Sequence, residues 1–415
     1  MKVRSIFIPA MLALFAVIIY SCDNSSPINT FDDGKLINGS IRGLWNYPMQ
    51  YKTVYINDKA YTTNELGKFT TEKTKLPYDV YYEYSTGGNG ILYKDVNQSS
   101  IGLNTLQNTT EGLIDYNIVV HCPTLPPEYR GKLFFIDDNT DISGIQTFPY
   151  STDINVNAPP NVNVSGIIYF ITYTLFNNHI GSYKYFARKQ TGRLIPGINE
   201  ITITPEELDT LSNNTINCSI TPPSGNTVLN ANFMINFNSG RLIYGYSNYL
   251  LFEDFVTSNF SLVLPANLPA DICVPKLTVH TNGSNGNMGQ VFNINENTTT
   301  INMVNQPSVI SPENYAMNVD SNTVFSFQKQ AGSNVLIFTL IDSTGSKTSK
   351  LCTSENNITM KMLSRMIKLQ PNRTYSYYIE QAGPEYSTVG DYLHNYRIGS
   401  TCFGITAKRY FTTKP

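Results

Sequence analysis

Apolar and polar residues alternate with a period of two along most of this 415-residue chain, the spacing of a half-buried strand rather than of a helix. Val54 and Ile56 turn one way while Thr53 and Tyr55 turn the other. Residues 116–120, 132–136, 231–237 and 323–327 read as further strands, and 335–341 as a buried one. Asn64-Glu65-Leu66-Gly67 supplies a turn in which Gly67 suits a positive φ. The glycine-rich stretch 283–289 is followed by a strand rather than a helix, so it predicts a hairpin loop and not a phosphate cradle. Helical periodicity is confined to residues 205–209 and 360–367, about two turns each at most. One segment breaks the pattern. Residues 6–20 are an apolar run behind Lys2 and Arg4, a charged-then-apolar leader too short to cross a bilayer comfortably.

Composition agrees with sheet: 28 Tyr and 21 Phe stand among abundant Thr, Asn and Ser. Charged residues make up only 14% and the formal net charge is −2. No basic stretch could neutralise a run of phosphates, so nucleic acid is not an expected partner. No second apolar run is long enough to cross a membrane.

Ser21-Cys22 closes the leader. A cysteine directly after a small residue, with Ile19 at minus three, resembles the lipobox of bacterial lipoproteins; Tyr20 at minus two is bulkier than that pattern. The resemblance implies a cleaved lipoprotein signal peptide over 1–21 and acylation of Cys22. Each buried methylene contributes about 0.8 kcal/mol, so several chains on one cysteine give a durable membrane anchor. It also implies a lipid-anchored place in the cell envelope, at the outer membrane or cell surface. Residues 22–35 are polar and read as a flexible tether.

The expected fold class is all-β, with tandem immunoglobulin-like or fibronectin-like β-sandwich modules. The first, 36–110, resembles the carboxypeptidase regulatory-like, transthyretin-like sandwich in its strand around Gly39, its hairpin Asn64-Glu65-Leu66-Gly67-Lys68-Phe69, where that family has Thr-x-x-Gly-x-Phe, and its Pro77-Tyr78 strand. Residues 111–211 and 212–305 look duplicated, because Cys122 and Cys218 are each followed by a Pro-Pro pair at the same offset. Residues 306–415 resemble a fibronectin type III domain through Leu369, Pro371, Tyr375, Tyr377 and Ile379. That likeness gives Tyr375 the role of corner tyrosine, its hydroxyl bonding back to the preceding loop. Residues 405–412 would then be the last strand.

Chemistry is sparse. His121, His179, His280 and His394 form no metal-type spacing, and no serine sits in an activating motif. Asp137, Asn139 and Asp141 match the opening of a calcium loop, but Ile142 and Phe148 stand where glycine and glutamate are required, so a polar hairpin tip is expected. No cofactor or metal site is assigned. Cys218 with Cys273, and Cys352 with Cys402, are the candidate disulfides in a compartment that permits them; buried apolar thiols are the alternative. The expected role is non-catalytic: an envelope lipoprotein displaying modules for binding, adhesion or spacing, with a protein or glycan as ligand. The runner-up is an accessory glycan-binding lipoprotein of a nutrient-uptake system, using exposed tyrosines in 81–84, 183–186 and 244–249.

Overall fold

The computed structural model describes residues 34–43, 48–84, 89–104, 113–138, 143–158, 163–237, 249–270, 273–330, 333–342, 344–364, 366–395 and 402–415. The expected leader, Cys22 and nearly all of the tether lie outside them. The described chain is all-β and built of tandem sandwiches.

The first module runs β1 (Lys35–Arg42), β2 (Thr53–Ile56), β3 (Lys59–Thr62), β4 (Lys68–Thr74), β5 (Tyr78–Glu83), β6 (Gly90–Val96) and β7 (Ser100–Asn104). One layer has the order β4-β1-β7, with β1 and β7 parallel, and the other has β3-β2-β5-β6. The second module runs β8 (Ile114–His121), β9 (Tyr129–Asp137), β10 (Ser143–Phe148), β11 (Asp153–Ala158), β12 (Ser165–Phe176), β13 (His179–Arg193) and β14 (Gly197–Thr202), with the short β15 (Asp209–Thr210) added to β13. The third runs β16 (Asn213–Thr221), β17 (Asn226–Phe237), β18 (Tyr249–Phe255), β19 (Asn259–Pro265), β20 (Cys273–Gly283), β21 (Gly286–Asn293) and β22 (Thr300–Asn302). Both repeat the first module's order: β11-β8-β14 over β10-β9-β12-β13, and β19-β16-β22 over β18-β17-β20-β21. In each, the first and last strands are parallel. One topology therefore serves three modules.

Their register corrects the expected match of Cys122 with Cys218. Ile203 N–H donates to His121 O at 2.9 Å, and Met303 N–H to Thr221 O at 3.1 Å. His121 thus corresponds to Thr221, and Cys218 to Ile118. Cys122 follows β8, whereas Cys218 lies inside β16 and is buried.

The fourth module contains β23 (Ser308–Ser311), β24 (Ala316–Val319), β25 (Val324–Gln328), β26 (Val335–Ile341), β27 (Thr348–Thr353), β28 (Asn357–Thr359), β29 (Thr374–Gly383), β30 (Cys402–Thr406) and β31 (Arg409–Thr413). β23-β25-β28 covers one face of the sheet that holds β27-β26-β29. The expected single closing strand is two. Both β30 and β31 pair with β29, but Ile405 faces Glu380 and Arg409 faces Tyr377, which leaves one extra residue between them. The corner forms as its motif implies: Gln370 N–H donates to Tyr375 Oη at 2.9 Å.

These sandwiches are fused. β30 pairs with β21 of the third module, and β27 lies parallel to β6 of the first, so strands of three modules form one 14-stranded sheet. A short helix, Val389–Asn395, joins the clamp. Thr388 and Asp391 cap it reciprocally at 3.0 and 3.1 Å, and Gln98 Nε2 donates to Asp391 Oδ1 at 2.7 Å. Val389, Tyr392 and Leu393 pack in the first module's core beside Ile37 and Ile101. The second module meets the third face to face. Ile168 and Phe170 of β12 fill its own core, while Tyr169 and Tyr173 of the same strand pack against the third module. Among the described residues no helix is long and apolar enough to cross a membrane.

Neither candidate disulfide is formed; Cys218, Cys273, Cys352 and Cys402 remain buried thiols. Cys352 packs with the first module's core and Cys402 with the third's, so the fused sheet puts the expected partners in different clusters.

Candidate functional site

The segment that leaves β22 cannot run free, because the third and fourth modules share a sheet. Val304 N–H donates to Gln290 Oε1 at 3.2 Å, and Pro307 lies over Gly404, where a Cβ would come within 2.5 Å of the proline Cδ. The pinned segment floors an open cleft of about 1040 Å³ at the seam. Ser284 and Asn285 of the β20–β21 turn line it together with Glu313, Asn314 and Arg409, and Ala407 N–H donates to Asn285 O at 2.9 Å.

Polar groups dominate the cleft. Gln306 Nε2 donates to Asn226 Oδ1 at 3.4 Å, and Asn226 is fixed in turn by donating to Thr281 Oγ1 at 3.1 Å and Gly286 O at 3.3 Å. Gln306 Oε1 is buried and accepts no hydrogen bond. Arg409 Nη1 donates to Pro312 O at 3.2 Å, which also accepts from Tyr377 Oη at 3.2 Å. Lys329 donates to Asn334 O at 3.4 Å and to Ser354 O, and burial lowers its pKa. Lys408 is exposed and makes no ion pair among the described residues. Glu313 is the single carboxylate among the lining residues, so the cleft is net positive. It can hold a polar, anionic ligand. Its lining carries serines but no histidine to activate one.

The residues singled out in the sequence lie elsewhere. Asp137 is buried on β9, where Oδ2 accepts Ser165 N–H at 3.0 Å, a structural role; Asn139 and Asp141 lie outside the described residues. His121 and Glu200 are exposed and 3.8 Å apart. His280 sits 5.8 Å from the Phe403 ring, with its pKa lowered by burial. The side chain of His394 is outside the description. Among the described residues no three metal-ligating side chains converge.

The expected tyrosine platforms need correction. Tyr81, Tyr82, Tyr183 and Phe186 are at most 7% exposed, because a neighbouring module or covering sheet takes up the second face there, and only Tyr84 and Tyr185 of these two segments stay half-buried. Residues 244–248 lie outside the described set.

Sequence reading missed the cleft, whose walls come from turns and a linker with no motif of their own. It also missed Glu253. That carboxylate is 8% exposed on β18 and reaches the second module, where Oε1 accepts Ile180 N–H at 2.9 Å and lies 3.3 Å from His179 Nδ1.

No family model matches the chain, and no curated protein is recognisably similar to it. Among solved structures, the Bacillus anthracis TIE protein is 11% identical with a TM-score of 0.15, over 65% of this chain and 50% of that one. A leucine-rich repeat protein from Bacteroides thetaiotaomicron is 10% identical with a TM-score of 0.16, over 46% and 26%. BcpA, the major pilin subunit of Bacillus cereus, is 8% identical with a TM-score of 0.14, over 65% and 97%. The chain thus spans half the length of the first and about a quarter of the second. The architecture described above rests on the strand pairing itself.

Proposed function

We propose that this chain is a non-catalytic lipoprotein of the cell envelope, held by acyl groups on Cys22, which displays a fused block of β-sandwich modules as a binding scaffold. The observation that supports it best is the 14-stranded sheet running through three modules. A flexible string would let its parts diffuse separately; a shared sheet holds surfaces from different modules at fixed spacing, which is what presentation to a partner requires. In this reading the first module is of the carboxypeptidase regulatory-like kind. The fourth is of the fibronectin type III kind, supported by the Tyr375 corner.

Metabolic labelling with an alkyne fatty acid tests the anchor. The wild-type chain is expected to take up label and sediment with membranes, and Cys22→Ala to do neither. An unlabelled wild-type chain in the aqueous fraction would overturn the reading.

A further inference from the structure

We propose that the cleft between the third and fourth modules binds a carboxylated oligosaccharide, which deepens the display reading by naming what the scaffold holds. The cleft's volume of about 1040 Å³ matches the upper end of small-ligand sites, roughly 300–1,000 Å³, and it is open rather than enclosed. An extended segment of a polymer fits such a shape better than a compact metabolite.

The walls select among anions. Asn285 and Gln328 each present an amide that both donates and accepts, while Asn305 and Asn314, whose Oδ1 atoms accept Ser224 N–H and Tyr410 N–H, keep their donors, and Gln330, whose Nε2 donates to Cys402 Sγ, keeps its acceptor. Sugar hydroxyls donate as well as accept, whereas ionised phosphate oxygens only accept.

Charge supplies the second half of the argument. Lys329, Lys408 and Arg409 outnumber Glu313, so an acidic group is favoured. Lys329 and Arg409 are already held by backbone carbonyls, which leaves Lys408 as the exposed cation to meet a carboxylate. One such cation suits a charge carried on separated sugar rings, not a dense run of phosphates. No aromatic ring lines the cleft, so nothing there would stack on a base.

Calorimetric titration of the full chain in detergent micelles tests this, with three oligosaccharides of equal length as probes. Oligogalacturonate carries a carboxylate on every ring, a hyaluronan oligomer on alternate rings, and a malto-oligosaccharide carries none. At least one acidic probe is expected to bind, more weakly as salt rises, while the neutral probe fails. Lys408→Glu is expected to lose about ten-fold in affinity and Lys408→Arg to retain it. Equal binding of the neutral probe, an unaffected Lys408→Glu, or no binding of either acidic probe would overturn the ligand class. If the same preparation is acylated and membrane-bound, such a failure leaves the display reading standing.

Discussion

Tyr375 shows how a single hydroxyl can fix a loop. Its ring is 3% exposed and packs on Phe411 at 5.5 Å, while its oxygen accepts Gln370 N–H. Tyr375→Phe keeps the ring but strands that N–H, so a loss of about 1–2 kcal/mol is expected in denaturant unfolding. This role was legible, because the corner's residues are close in sequence. Glu253 was not, since its meaning depends on a hairpin 73 residues away. Burial raises its pKa above the ordinary 4.5, against the opposing pull of Ile180 N–H and His179, and both its Oε2 and the hydroxyl of nearby Tyr183 lack partners. A carboxyl whose pKa is raised on folding stabilises while it is protonated and loses that contribution as pH rises through the folded value. Glu253→Gln stays neutral throughout. Its melting temperature relative to wild type is therefore expected to climb as pH rises above the ordinary carboxyl value of 4.5; a difference that stays flat with pH would show that the carboxyl is not raised on folding.

At the scale of elements, the alternation located most strands but not who pairs with whom. Residues 335–341 read as a buried strand and form β26, yet nothing in them names the first module as a neighbour of the sheet's far side. The helix was missed because seven residues give too little periodicity, although Thr388-x-x-Asp391 is a capping signature. The β21–β30 seam depends on a missing side chain. Gly286 pairs with Thr406 at a φ of +133°, where a Cβ would come 2.0 Å from Ile405 O. Gly286→Ala is expected to cost about 1–3 kcal/mol through overcrowding and backbone strain. Amide exchange would quicken in β21 and β30 together; faster exchange in β21 alone would mean that the two strands are not coupled.

For the whole molecule, the fold class was legible and the assembly was not. A two-residue period tells that a strand has two faces, and here neighbouring modules cover faces that an isolated sandwich would show to water. Leu336 and Phe338 point into the fourth module's core, whereas Val335 and Ile337 of the same strand join the first module's core with Cys352. Cys352 is fully buried, and burial pushes its thiol pKa up. Under native conditions at about pH 8 it is expected to resist alkylation until the first and fourth modules part, while half-buried Cys122 reacts slowly. Peptide mass spectrometry across a denaturant series checks this. Early labelling of Cys352 would mean that the two modules separate in the native state. The cleft was illegible for the same reason: it exists only where two modules meet.

The bond from Thr348 N–H to Asn89 Oδ1, at 2.6 Å, spans 259 positions, and that from Gln98 to Asp391 spans 293. What is synthesised first is therefore completed last. Through most of translation the N-terminal region waits with a hydrophobic flank uncovered, the slow regime for contacts so distant along the chain. A polypeptide that stops short of its final eighty or so residues leaves that flank open to proteolysis and aggregation. Intactness at the far terminus thus governs whether the portion nearest the start ever matures.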